Sequence, residues 1–186
     1  MYRINDNKRV QHSASLITNA MLNFLNEKPF EEITVSDIQR LSGVSRATFY
    51  RLFDNTNDVL TYYSQFLVDD IMNQSTTQSI HNYKDFLLFL FEALLDNHVF
   101  LEAVFKSGSE EIIMNSLLSN SMQKHNTQSH LYADEKEMDY LISGTCGFLV
   151  GILRVWIKHG KQETPEELFD IMMRMAGVVS TSLFQK

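Results

Sequence analysis

The chain has 186 residues, 44% of them apolar, enough for a packed core and too many for intrinsic disorder. Its 7 glycines and 2 prolines are too few for the frequent turns of a sheet-rich chain, which leaves an all-helical fold as the expectation. The net charge of −7 is unevenly placed: residues 1–60 carry equal numbers of basic and acidic side chains, and the whole acidic excess follows them, so a basic surface on an acidic body is not excluded.

Asn5 or Asp6 is a suitable cap for a first helix. Val10, Ala14, Ile17, Met21 and Phe24 then recur at spacings of three and four, one face of an amphipathic helix that ends near Asn26, before Pro29. Thr34 caps the next helix, with Asp37 at the capping-box position and Val35, Ile38 and Leu41 as its apolar stripe. Gly43 ends this helix, and Ser45 opens a third one over Arg46–Phe53. Phe49 and Phe53 form its buried edge, leaving Arg46, Ala47, Tyr50 and Arg51 on the other side. Isolated helices below about 12 residues are marginal in water, so these two must pack on each other and on the first.

Two short helices about a tight glycine turn, the second with a basic and aromatic face, describe a helix-turn-helix. Arginine can grip guanine edges bidentately or bind phosphate. Tyr50, Thr34 and the free N–H groups behind Ser45 can bond phosphate oxygens.

These residues also carry a resemblance. TVSDIQRLSGVSRATFYRLF, Thr34 to Phe53, is similar to the signature of TetR/AcrR-type transcriptional regulators, roughly T-V-x-D-I-A-x-x-A-G-V-S-x-G-T-x-Y-x-Y-F. The chain keeps Thr34, Val35, Asp37, Ile38, Gly43, Val44, Ser45, Thr48, Tyr50 and Phe53, and the close match covers about residues 8–60. It departs at Ala47, often Gly in the family, at Leu52, often Tyr or His, and at Thr56, usually a phosphate-binding Lys. Asp54 and Asp58 flank that last position. The resemblance implies DNA contacts by Thr34, Ser36, Ser45, Arg46, Ala47, Tyr50 and Arg51, with Arg46 and Arg51 reading bases and Tyr50 and Thr34 on phosphates.

Beyond residue 56 the chain reads as further helices, about nine in all: Asn57 to Asn73, Tyr83 to Leu95, His98 to Phe105, Ser109 to Lys124, Asp134 to His159 and, capped by Thr164 with Pro165 in its first turn, a last one to Phe184. His125 to Tyr132 is polar and reads as a loop. The division expected is a DNA-binding domain over 1–56 and a helical effector-binding and dimerisation domain over 57–186. The least polar stretch, Leu141 to Leu153, suits a buried helix better than a membrane span, and residues 1–25 hold no signal-peptide apolar run.

Ser143, Gly144, Gly147 and Gly151 let helix backbones approach closely, at about 1 kcal/mol per interior glycine. Gly151 to Leu168 also resembles the family's C-terminal part, which implies a dimer interface including Gly144, Gly147, Gly151, Trp156, Leu168 and Met172. Phe66, Phe86, Phe89, Phe100, Phe105 and Met114 read as ordinary core by spacing; the resemblance implies that some of them line a pocket for a small hydrophobic effector. The single cysteine, Cys146, lies in an apolar run and excludes a disulfide framework and a cysteine-based zinc site. The scattered histidines form no metal-ligand spacing, and no nucleophile–base or phosphate-loop motif occurs. No metal, cofactor or enzyme activity is expected. The leading expectation is a cytoplasmic homodimer that binds a palindromic operator in double-stranded DNA and is relieved by an effector, without membrane association. An activator, or a regulator acting through a protein partner without an effector, stands as the alternative within the fold; a helical enzyme or ligand carrier stands outside it.

Overall fold

The structure, a computed structural model, describes residues 1–78, 80, 82–128 and 135–182. Among these it contains nine α-helices, a short 3-10 turn at Phe30–Glu32 and no strand. The helices are α1 (Lys8–Leu25), α2 (Val35–Ser42), α3 (Arg46–Leu52), α4 (Thr56–Thr77), α5 (Tyr83–Asp96), α6 (His98–Lys106), α7 (Glu111–Gln128), α8 (Glu135–Lys158) and α9 (Pro165–Ser182).

Capping chemistry sets most of the starts. Asn7, rather than Asn5 or Asp6, caps α1: its side-chain oxygen accepts the N–H of Arg9 at 2.9 Å, while Asn5 accepts the N–H of Asn7. Thr34 and Asp37 form a reciprocal capping box on α2. Thr164 and Glu167 do the same on α9, the Thr164 N–H donating to Glu167 at 2.9 Å. At α7 the polar residues from His125 remain helical to Gln128, where a loop was expected; a polar sequence with no Gly or Pro leaves the ladder free to propagate. Residues 129–134, and Phe184 where the last helix was expected to end, lie outside the described residues.

The chain divides into two compact units. The first comprises Met1–Leu67 and Val99–Ile113. In it α1, α2 and α3 pack together around Ile17, Met21, Ile38, Phe49, Leu52 and Phe53, all below 2% exposed. Tyr63 of α4 meets Phe100 of α6 edge-on at 4.8 Å. Leu41 departs from its expected stripe: it is half exposed, so α2 is anchored chiefly by Ile38. The second unit comprises Val68–His98 and the chain from Met114. Here α9 packs on α5 and α8, and the side-chain amide of Asn120 on α7 donates to Asp69 on α4 at 2.6 Å. Residues Lys136–Lys158 form the one described helix long and apolar enough, by length and composition, to cross a membrane. Its Cys146, Leu149, Leu153 and Trp156 are buried in this unit.

Candidate nucleic-acid interface

The corner between α2 and α3 is set by a capping box, a glycine and a serine cap. The Thr34 hydroxyl accepts the N–H of Asp37 at 3.1 Å and donates its own proton to the Asp37 carboxylate at 2.8 Å. The same carboxylate takes the ammonium of Lys28 at 2.7 Å and the guanidinium of Arg40 at 3.0 Å. The Lys28 hydrogen bond, with those from Thr34, holds the Asp37 carboxyl well below the usual carboxylate range. α2 is thereby pinned to the end of α1, since Lys28 also lies over the Phe24 ring. Gly43 closes α2 in the left-handed region at φ 68°, which an L side chain rarely adopts. Ser45 starts α3 immediately: its oxygen accepts the N–H of Thr48 at 3.2 Å and donates to the Thr48 hydroxyl at 3.0 Å.

This turn leaves α3 with one inward and one outward side. Phe49 and Leu52 enter the core, with Phe53 just beyond the helix. Arg46, Ala47, Tyr50 and Arg51 face solvent, as do Thr34, Ser36 and Ser45. The Arg46 guanidinium lies 5.4 Å from the centre of the Tyr50 ring, and that ring stands edge-on to buried Phe49. Neither Arg46 nor Arg51 has an acidic partner among the described residues. The hydroxyl protons of Thr34 and Ser45 point at Asp37 and Thr48 rather than outward, so phosphate contact near these two positions would fall to the free N–H groups in the first turns of α2 and α3.

Residues 1–6 return over the end of α3, an arrangement that no local sequence pattern encodes. The Arg3 N–H donates to the Leu52 carbonyl at 2.8 Å, and its guanidinium pairs with Asp54. The Met1 amino group contacts Asp54 and Asp58 at 2.7 and 2.6 Å. That amino group and then Arg3 lower the pKa of Asp54 from its ordinary value. The Tyr2 ring meets Tyr62 of α4 edge-on at 5.3 Å.

Residues 17–63 match the family described as "Bacterial regulatory proteins, tetR family", and residues 81–177, more than half of the chain, match "Transcriptional regulator C-terminal region". The chain belongs to the TetR family. TetR-family chains are helix-turn-helix DNA-binding transcriptional regulators, and the reader built on α2 and α3 is this chain's version of that domain. Over 90 residues the chain is 24% identical to the HTH-type dhaKLM operon transcriptional activator DhaS of Lactococcus lactis, covering 48% of this chain and 47% of that protein. Over 168 residues it is 26% identical to the uncharacterized HTH-type transcriptional regulator YxbF of Bacillus subtilis, covering 87% of this chain and 43% of that one. The chain thus spans under half the length of these curated relatives. The crystal structure of Lin0861 from Listeria innocua shares the fold at TM-score 0.79 and 17% identity, over 95% of this chain and 96% of that one.

In this TetR-family chain the remaining candidates fall in different places. Gly144, Gly147 and Gly151 of α8 line an open groove of about 560 Å³ with Phe148, Val155, Trp156, Leu168, Ile171 and Met175. Trp156 and Leu168 are buried in the protomer, the Trp156 indole N–H donating to the Glu163 carbonyl at 3.1 Å. Met172 is also buried and does not line the groove. The aromatic candidates are dispersed. Phe66, 55% exposed, lines a groove with Tyr62 and Tyr63 in the first unit. Phe100 is core, and Phe89, Phe105 and Met114 are half-buried. Phe86 alone of the six lines the cavity of about 250 Å³ in the second unit, whose walls are Met72, Leu87, Leu90, Leu117, Ser121, Met138, Cys146 and Leu149, among others. Most of these walls were missed in the sequence because aliphatic residues at helical spacing look alike whether they meet a neighbour or a void. Burial raises the pKa of the Cys146 thiol, against the opposing hydrogen bond of Ser121.

Proposed function

We propose that this chain is a homodimeric repressor that reads a palindromic operator with α3 and is released by a small apolar effector. The observation that carries the DNA reading is the outward side of α3: Arg46, Tyr50 and Arg51 are exposed there, with the Arg46 guanidinium over the Tyr50 ring and no acidic partner on either arginine among the described residues. In this reading Arg46 and Arg51 meet base edges, and Ser36, Tyr50 and the backbone at Ser45 and Ala47 meet phosphates.

One α3 covers only a few base pairs, so a two-fold pair set about 34–36 Å apart reads both halves of a palindrome on one DNA face. The groove on α8 and α9 supports a second copy as the partner. It is lined almost wholly by apolar groups, with Val155 and Met175 about half exposed. A buried carboxylate oxygen of Glu163, also lining it, has no hydrogen-bond partner among the described residues, and a donor from another subunit would satisfy it. The cavity around Phe86 and Cys146 has the size and apolar walls for a compact hydrophobic effector. An apolar α8 is then an interface helix, and the protein is cytoplasmic and free of the membrane. The cavity would serve an effector rather than a reaction.

A mobility shift at low salt with the DNA upstream of the chain's own gene, against random DNA, tests the reading; equal affinity for both would sink it. Activation stands as a second reading because the Lactococcus lactis relative is by name an activator. Transcription in vitro from the bound promoter separates the two by the sign of the change.

A further inference from the structure

The segment before α1 is tied to the reader at three points. The backbone N–H of Arg3 satisfies Leu52, one of the carbonyls that α3 leaves without an intrahelical donor. The Arg3 guanidinium pairs with Asp54. Tyr2 rests edge-on against Tyr62, which in turn meets Phe53 at 5.8 Å. These three contacts span the end of α3, the α3–α4 turn and α4 itself.

The location gives the ion pair its meaning. Asp54 follows Arg51 by three residues and Tyr50 by four, and Asp58 lies in the first turn of α4. Two carboxylates at the foot of the helix that carries Arg51 oppose the approach of a phosphate backbone within a screening length of about 10 Å. The turn holds no Lys or Arg of its own between residues 52 and 58. Its compensating charge comes from the Met1 amino group, on Asp54 and Asp58, and from the Arg3 side chain, on Asp54.

We propose that Arg3 is a positioning residue of the DNA interface: it cancels Asp54 beside the phosphate path and pins the end of α3, so that the segment before α1 is part of the reader. This rests on the reading of α3 as the DNA-binding helix.

The test uses the full chain and the DNA that the wild type prefers. Arg3→Ala should weaken binding about fivefold at low salt, the scale of one exposed charge pair. Arg3→Lys should retain most of the wild-type affinity. Asp54→Asn should bind at least as well as wild type, and Arg3→Ala with Asp54→Asn should regain what Arg3→Ala lost. Thermal melts of all four variants separate binding from folding. An Arg3→Ala protein with unchanged affinity overturns the proposal while leaving the DNA reading intact. A double variant that stays weak overturns it too, because Arg3 would then act on DNA directly or on folding. A wild-type chain that ignores DNA removes both readings together.

Discussion

Arg46 and Tyr50 are one unit: the guanidinium of the first lies over the ring of the second, 5.4 Å from its centre. They are one helical turn apart, where side chains meet. Held over the ring and exposed to solvent, the guanidinium has fewer conformations to lose on a bidentate contact with a base edge.

Substitutions at the two positions should therefore interact. Arg46→Ala is expected to lose about 1–3 kcal/mol on the preferred sequence and to flatten its preference. Tyr50→Ala should weaken all sequences and also erode preference, since Arg46 loses its support. Tyr50→Phe should keep the preference. Anisotropy titrations on a preferred site and a scrambled one measure this; strictly additive losses in the double variant would show that the stack does nothing.

Acid should attack the α1–α2 junction first. Asp37 has its pKa lowered by Lys28 and then by Thr34, so its ionised form is favoured in the folded state. A depressed folded pKa gives stability that is complete above the unfolded carboxylate range, about 4, and fades as pH falls below it. Asp37→Asn is expected to be less stable at neutral pH and to show a flatter loss on acidification below about pH 4. Urea melts from pH 7 to 2.5 would reveal it; parallel curves for wild type and variant would refute it. Thr34→Ala, which removes the cap, should cost about 1 kcal/mol at neutral pH.

Much of this junction was legible from sequence, because a capping box, a left-handed glycine and a serine cap are local events coded within a few residues. The inward set of α3 was only partly legible, since Leu52 is as buried as Phe49 although it departs from the family signature. What escaped was everything set by distant parts of the chain. No periodicity shows that Tyr2 will find Tyr62 or Arg3 will find Asp54. Composition marked the aromatic residues but not their surroundings: Phe100 fills core beside Tyr63, while Phe86 edges a cavity.

The α8 glycines give a test whose sign separates monomer from dimer. Within the protomer a Cβ at Gly144 or Gly151 would meet nothing within 4 Å, and one at Gly147 only the end of Met114 at 4.0 Å. In a lone protomer Gly151→Ala would therefore gain about 1 kcal/mol of helix propensity. We expect instead a loss of dimer affinity, and monomers from Gly151→Leu by light scattering at micromolar concentration with helical circular dichroism unchanged. Dimers that survive Gly151→Leu would rule out this face.

The cavity around Phe86 should respond to filling. A compact apolar compound at about a hundred times its dissociation constant would add about 2.7 kcal/mol to stability. Leu117→Phe, which places a larger ring at its wall, should abolish that thermal shift while the variant still binds DNA. A shift that persists in the variant would place the compound elsewhere.

At Gly43 the restriction is torsional and not one of room. A side chain there would touch nothing within 4 Å, yet the backbone sits at φ 68°. Replacements should then rank by their tolerance of a left-handed backbone and not by bulk: asparagine nearest to glycine, alanine behind it, and valine worst although nothing lies within 4 Å of its Cβ position. The angle between the two short helices is thus held by the handedness of a single residue. A substitution there would act first on the direction in which α3 leaves the turn, and only through it on Phe49 and Leu52, which α3 carries into the core.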